Sequence, residues 1–372
     1  MKEMIQPDEM ERAAQIVCAV GDDSQHCLTL NPESQYYFGE NIRGVIAYTL
    51  VGKWAMSQGD PVCEPDDREA LIDEYLAFCK KQGYRPIFNS VRSETADLLR
   101  LRKFRVLRYG EEAVLDLSSY TLAGGKKGAL RRNVAKLNRE GIVSMEYCPQ
   151  TFRDPALERE ISALEEQWFA DKKLKLTYSV GNLQFDKPCG RRYFITRDAG
   201  GTLLTVLSFF PYCQKKGYCV DVMYRKLDGP TGAMEHAIIS AAMKMKEEGV
   251  EEVSLNIAPL AGIDITKPDT VKAEKLMYEI FDNMDFGYDF KNLYRFKNKF
   301  APGIWKQRYL VYDRRIPLVR LATSITNAKG AADPALYRKY RKFFISLLLP
   351  GERYREPQKE EDEGESKKTS QK

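Results

Sequence analysis

Two stretches of this chain run through the same order of elements, and that repetition constrains the fold more than any other feature. In the first, Leu71, Tyr75, Phe78 and Cys79 recur at helical spacing over 68–79. Gly83 is placed to end that helix, and 86–91 (PIFNSV) reads as a short buried strand. A helix over 93–102 and an alternating strand over 112–117 follow. In the second stretch Met234, Ala237, Ile238, Ala241 and Met245 line one helical face, and Gly249 ends it. Val253, Leu255 and Ile257 then alternate as a strand, a helix spans 291–300, and 307–312 (QRYLVY) reads as a closing strand. The turn ahead of each long helix recurs as well, as Gly59-Asp60-Pro61 and as Asp228-Gly229-Pro230. The expected fold class is α/β: two units of similar topology, with mixed central sheets flanked by helices.

The units are expected over 1–148 and 149–313, joined near Cys148-Pro149. The helix after the join opens at Asp154-Pro155 and carries Leu157, Ile161, Leu164 and Trp168 on one stripe. Beyond it, 314–349 reads as a basic helical extension. Its apolar face (Leu336, Tyr340, Phe343, Leu347) is flanked by Arg338, Lys339, Arg341 and Lys342. That pattern suits an interfacial membrane anchor, or a helix packed on the second unit. The charged tail 350–372 holds too few apolar residues to order itself.

Composition excludes several classes of chemistry. No apolar run approaches the roughly 18 residues of a membrane span, and the first residues lack a secretory core. The chain is therefore expected in the cytoplasm, or peripheral at the inner face of the cell membrane. Eight cysteines form no CxxC pair, which argues against a zinc site or disulfide framework. His26 and His236 are the only histidines, so a His-based triad or multi-His metal centre is not expected, and His236 reads as structural. A net charge of +5 is mild, and no DNA partner is implied; local basic clusters matter more.

Five motifs stand out: QGDPV (58–62), GEEAVLDLSSYTLAGGKKGALRRNVAKLNREG (110–141), VDVMYRKLDGPTGAME (220–235), LNIAPLAGI (255–263) and LYRFKNKFAPGIWKQRYLVY (293–312). In order and spacing they resemble the C-terminal catalytic domain of the lysylphosphatidylglycerol synthases, also called phosphatidylglycerol lysyltransferases or multiple peptide resistance factors, a DUF2156-type family. The resemblance implies two fused acetyltransferase-like (GNAT) domains, and transfer of lysine or alanine from aminoacyl-tRNA to a hydroxyl of phosphatidylglycerol. It implies aminoacyl-tRNA and an anionic phospholipid surface as partners, with no metal and no organic cofactor. Three departures are visible. The family's N-terminal multi-helix flippase is expected to be lacking. Asp221-Val222-Met223-Tyr224, with Arg225 one place later, stands where the family commonly has Asp-Leu-Met-Arg. Pro230-Thr231-Gly232 replaces a Pro-Asn-Gly turn.

The site residues follow from the chemistry. Leu130, Val134 and Leu137 form an inward stripe on a helix whose other faces carry Lys127, Arg131, Arg132, Lys136 and Arg139. Such a surface suits tRNA phosphates; spacing alone favours a solvated face, and the resemblance reverses that preference. Asp221, on a strand over 218–223 between Val220 and Val222, is expected to face away from their apolar side. A carboxylate there could bind an ammonium or orient the attacking hydroxyl. The resemblance makes Asp221, Arg225 and Glu235 the catalytic candidates. It makes Tyr224, Thr231, Asn256, Arg295, Lys297 and Lys299 the substrate-binding ones, the alternate basic residues of 293–300 facing phosphate or solvent. Glu235 also fits a plain first-turn helix carboxylate. The 229–233 turn lacks the Gln or Arg that opens a coenzyme A pyrophosphate loop, and Pro230 removes one N–H donor, so acetyl-CoA is a poor donor. Two rival readings stand beside the main one: the same donor with a soluble acceptor, or a non-catalytic module binding tRNA or membrane.

Overall fold

The computed structural model describes residues 7–170, 183–267 and 290–315, with 271, 274, 275 and 278 between the last two. The extension over 336–349 and the tail over 350–372 lie outside them. All eleven strands among the described residues join one mixed sheet, in the order β1-β2-β3-β4-β11-β5-β10-β9-β8-β7-β6. Helix α1 (Pro7–Val20) and a 3₁₀ segment (Ser24–Leu30) lead into β1 (Gln35–Phe38), β2 (Val45–Val51) and β3 (Trp54–Gln58). Then come α2 (Arg68–Gln82), β4 (Arg85–Val91), α3 (Ser93–Leu101), β5 (Phe104–Asp116), α4 (Gly128–Arg139) and β6 (Val143–Tyr147). The second half comprises α5 (Pro155–Ala170), β7 (Arg192–Arg197), β8 (Leu203–Tyr212), β9 (Gly217–Arg225), α6 (Ala233–Glu247), β10 (Glu252–Pro259), α7 (Phe290–Asn298) and β11 (Ile304–Asp313).

The helices form where the apolar spacing predicts them. Gly83, at φ 70°, takes the left-handed position that ends α2, which glycine adopts without a Cβ clash. In α6, Ala237, Ile238, Ala241, Ala242 and Met245 are buried against Leu207, Phe209 and Val253 of the sheet. The small alanines let the helix approach closely. Leu157, Ile161 and Leu164 bury α5 beside Val206, Val222 and Tyr224.

The two halves repeat a parallel strand pair, β3 with β4 and β9 with β10. The closing strand does not stay in its own half. β11 lies between β4 and β5, antiparallel to both, and β5 also pairs with β10. The sheet thus runs unbroken from one half to the other.

Arg308 of β11, only 2% exposed, fastens this centre. It donates to Asp23 Oδ2 at 2.6 Å, to Ser24 Oγ at 3.1 Å and to Glu112 of β5. Glu112 in turn accepts from Ser254 Oγ of β10 at 2.5 Å. The polar 3₁₀ segment is buried throughout, packed on strands of both halves.

Candidate active site

The parallel pairing of β9 with β10 covers only Gly217 to Cys219 against Glu252 to Ser254. Beyond it both strands are irregular, and these irregularities build the site. In β9, Val220 pairs with Phe209 and Val222 with Ser208, leaving Asp221 as the extra residue of a β-bulge. The amide N–H of Val222 donates to Ser208 Oγ at 3.1 Å, compensating for the broken ladder. In β10 the register against β5 shifts between Ser254 and Ile257, and Asn256 has φ 67°. Asparagine tolerates that left-handed conformation better than most residues, because its amide can bond locally. Here Asn256 Oδ1 accepts from its neighbour Ile257 N at 2.7 Å.

The bulge corrects one expectation. Strict alternation would put Val220 and Val222 on one face. With an extra residue between them, Val220 packs with the α6 side and Val222 with the α5 side. Likewise Val253 and Leu255 share the α6 core, but Ile257 falls out of step with them after Asn256.

The Asp221 side chain, 1% exposed, is ion-paired with Arg191, also 1% exposed, at 3.1 Å. Asn256 Nδ2 donates to Val220 O at 3.2 Å, and Gln25 Nε2 of the 3₁₀ segment donates to Asn256 Oδ1 at 3.0 Å. Lys297 Nζ donates to Ile257 O at 2.5 Å from a fully buried position. Burial lowers the Lys297 pKa to about 7, against the partial support of Cys219 and Glu112. Asp221 and Asn256 thus lie on adjacent strands just past the point where the β9–β10 pairing ends, and Lys297 bonds to the residue that follows Asn256.

A second pair sits at the first turn of α6, where Glu235 accepts from Lys299 Nζ at 2.8 Å. Helix α7 therefore carries Lys297 inward to β10 and is followed by Lys299, which reaches α6. The alternate basic residues of 293–300 do not all face phosphate or solvent: Lys297 is inside, Lys299 is ion-paired, and Arg295 is exposed. Tyr294 is partly exposed and lies 5.0 Å from the Trp305 ring.

Other sequence candidates fall elsewhere. Tyr224 is a core residue: 2% exposed, its ring edge-on to Phe169, its hydroxyl donating to Glu165 at 2.9 Å. Arg225 ends β9 in an exposed position, its guanidinium 5.6 Å from the Trp168 ring centre. Four residues along a strand span ~13 Å, so Arg225 is not beside Asp221. Thr231 is exposed in the turn before α6. In that turn Gly232 (φ 90°) is covered by α4: a Cβ there would lie 1.6 Å from Asn133 Nδ2.

Leu130, Val134 and Leu137 bury α4, as their spacing predicts, while Arg131, Arg132, Lys136 and Arg139 are exposed. Arg131 donates to Leu122 O at 2.7 Å, and Lys127 lies 4.3 Å from the Tyr120 ring centre. Lys136 pairs only with its helix neighbour Glu140, at 3.6 Å among the described contacts. His236 is tied into structure, bonded to Ser144 Oγ at 3.0 Å and Asn138 Oδ1 at 2.7 Å.

Sequence reasoning missed Arg191 and Gln25. Neither belongs to a periodic pattern, and Arg191 lies in an irregular loop whose neighbours Pro188 and Gly190 signal only a turn.

With this geometry in hand, the relationships of the chain are informative. A family model described as "Phosphatidylglycerol lysyltransferase, C-terminal" matches residues 14–312. The chain belongs to this family. The phosphatidylglycerol lysyltransferase of Bacillus subtilis is 27% identical over 307 residues, which cover 82% of this chain and 35% of that protein. The bifunctional lysylphosphatidylglycerol biosynthesis protein LysX of Mycobacterium sp. is 25% identical over 82% of this chain and 28% of its own length. The chain thus spans about a third of the curated family members it matches. The fold agrees with the family. The L-PGS structure from Bacillus licheniformis superposes with TM-score 0.74 at 23% identity, covering 87% of this chain and 97% of that one. The C-terminal domain of a putative lysylphosphatidylglycerol synthetase from Agrobacterium fabrum gives 0.71 at 22% identity, over 87% and 96%.

Proposed function

We propose that this chain is an aminoacyltransferase that moves an aminoacyl group, of the lysine or alanine class, from aminoacyl-tRNA to a hydroxyl of phosphatidylglycerol. The observation that carries the reading is the set of polar residues just past the end of the β9–β10 pairing, the buried side chains of Asp221 and Lys297 and the half-buried Asn256, in a chain whose family members are phosphatidylglycerol lysyltransferases.

An aminoacyl ester is already activated, so the reading needs no metal or organic cofactor. In the transfer the acceptor oxygen bonds to the carbonyl carbon, the bond from that carbon to the tRNA ribose oxygen breaks, and the hydroxyl proton ends on the ribose oxygen. Asp221 orients the hydroxyl or the α-amine as a hydrogen-bond acceptor. Lys297, whose pKa lies near neutrality, is suited to holding or releasing a proton. The amide of Asn256, fixed by Gln25, supplies a preorganised dipole. The exposed cations of α4 meet the tRNA backbone, and Arg295 and Lys299 meet donor or lipid phosphate. Among the described residues no helix is long and apolar enough to cross a membrane.

The test is transfer of radiolabelled amino acid from a total aminoacyl-tRNA pool to phosphatidylglycerol vesicles. Label in the lipid fraction is the expected result, and single charged tRNAs then identify the amino acid. Ester consumed without labelled lipid would move the acceptor to a soluble molecule. No consumption at all would leave a binding module.

A further inference from the structure

Arg191 is placed where a purely structural arginine gains little. Its guanidinium is buried beneath the β9 bulge, stacked 4.7 Å from the centre of the Phe210 ring. Nε donates to Asp221 Oδ2 at 3.1 Å, and Nη1 donates to Gln184 Oε1 at 3.0 Å. A longer contact of 3.4 Å joins Nη1 to Pro188 O. The planar fork is therefore held by a ring on one face and by the 184–188 loop at one edge, with the carboxylate at another. A buried ion pair of this kind recovers its desolvation cost poorly, and an apolar pair of similar volume would often serve stability as well. A bulge likewise interrupts a ladder and commonly re-aims one side chain. Both features concern the same residue, Asp221.

We propose that Arg191 is a positioning residue: it fixes the Asp221 carboxylate in the orientation used for transfer, so that the two act as one unit. The proposal rests on the reading of Asp221 given under Proposed function. It also narrows that reading. A carboxylate already neutralised by a buried guanidinium works as a directional hydrogen-bond acceptor for a hydroxyl or amine. It is not a spare counter-charge for a lysine ammonium. Arginine is required rather than lysine because the rigid fork sets direction as well as charge.

The test compares Arg191→Gln, Arg191→Lys, Asp221→Asn and the Asp221→Asn/Arg191→Gln double variant, in the full chain with aminoacyl-tRNA and phosphatidylglycerol vesicles. Displacing a reacting group by about an ångström can cost on the order of 100-fold in rate. The expected result is a kcat loss of that order for Arg191→Gln, with KM for aminoacyl-tRNA nearly unchanged. Arg191→Lys should recover less than a tenth of the parent kcat. The double variant should be no slower than Asp221→Asn alone, as residues acting as one unit show. Parent-level kcat in Arg191→Gln beside an inactive Asp221→Asn would overturn the proposal, as would losses that multiply in the double variant. A fully active Asp221→Asn would instead overturn the underlying reading. If Arg191→Gln does not fold, Arg191→Lys decides: a folded protein with kcat reduced tenfold or more supports the proposal, and parent-level kcat overturns it.

Discussion

Arg308 Nη1 donates to Asp23 Oδ2 at 2.6 Å across 285 residues of sequence, joining the last strand to the cap of the N-terminal 3₁₀ segment. Both side chains are buried, and Glu112 is the second carboxylate on the same guanidinium. Removing one partner would leave two buried carboxylates facing each other. Arg308→Met is therefore expected to lower unfolding free energy by ~3–5 kcal/mol, read by urea denaturation. Adding Asp23→Asn and Glu112→Gln should recover a substantial part. A single variant as stable as the parent would show that β11 is held by its ladder alone.

The same cluster sets a pH dependence. Burial alone would raise the Asp23 carboxyl, but Arg308 and Arg92 outweigh it and hold its pKa far below the ordinary aspartate range. A depressed carboxyl contributes stability that is present above its unfolded pKa and is lost as pH falls through the folded one. His26 is neutral in the fold, because burial lowers its pKa from 6.5. Its favoured neutral form makes stability fall as pH drops below 6.5. Burial also lowers the pKa of His236, so thermal unfolding should show a first decline below pH 6.5 that His26→Gln reduces and His26→Gln with His236→Gln removes, and a second below about 4 that neither variant removes.

Much of this architecture was legible because it obeys a period. The buried stripes of α2, α4, α5 and α6 follow the helical spacing of their apolar residues, and Gly83 and Gly249 stop two of these helices. The local run QRYLVY read as a strand, but nothing local could place it between β4 and β5, because that depends on pairing partners hundreds of residues away. The bulges at Asp221 and Asn256 were hidden for the opposite reason. Alternation assumes two residues per repeat, and an inserted residue reverses every later side chain. Segment 24–30 carries no periodic pattern that would mark it as core, yet it is buried, and Arg308, Asn256 and Asp60 satisfy its polar groups. Tyr224 drew attention as a departure from the family motif, and the structure places it in the core.

Tyr224→Phe keeps the ring and removes the hydroxyl that donates to Glu165. The expected cost is about 1 kcal/mol of stability, with KM for aminoacyl-tRNA and kcat within about twofold of the parent. A large rise in KM would return Tyr224 to the substrate-binding residues.

The α4 cations should act through the number of phosphates they neutralise. Arg132→Ala with Lys136→Ala removes two exposed charges and no core contact. Each lost phosphate contact reduces the slope of log affinity against log salt by roughly 0.7–0.9. The double variant should weaken tRNA binding and flatten that slope by about 1.5, measured by filter binding across a salt series. An unchanged slope would make α4 a solvated face.

Lys297 offers the sharpest separation of stability from activity. Its pKa of about 7 in the fold lies below the ordinary lysine value of 10.5. Between those values the unfolded chain binds a proton that the folded protein does not, so this group makes stability rise with pH from about 7 to 10.5. At neutral pH the buried amine is a liability, and Lys297→Met should fold at least as stably as the parent, because the methionine fills similar volume without desolvating a charge. Transfer should nevertheless fall steeply, while tRNA affinity, which we propose rests on α4, should change little. The parent's kcat should change with an apparent pKa near 7 that is absent from whatever activity Lys297→Met retains. A variant that is stable and fully active would mark Lys297 as a packing residue and leave proton handling to another group.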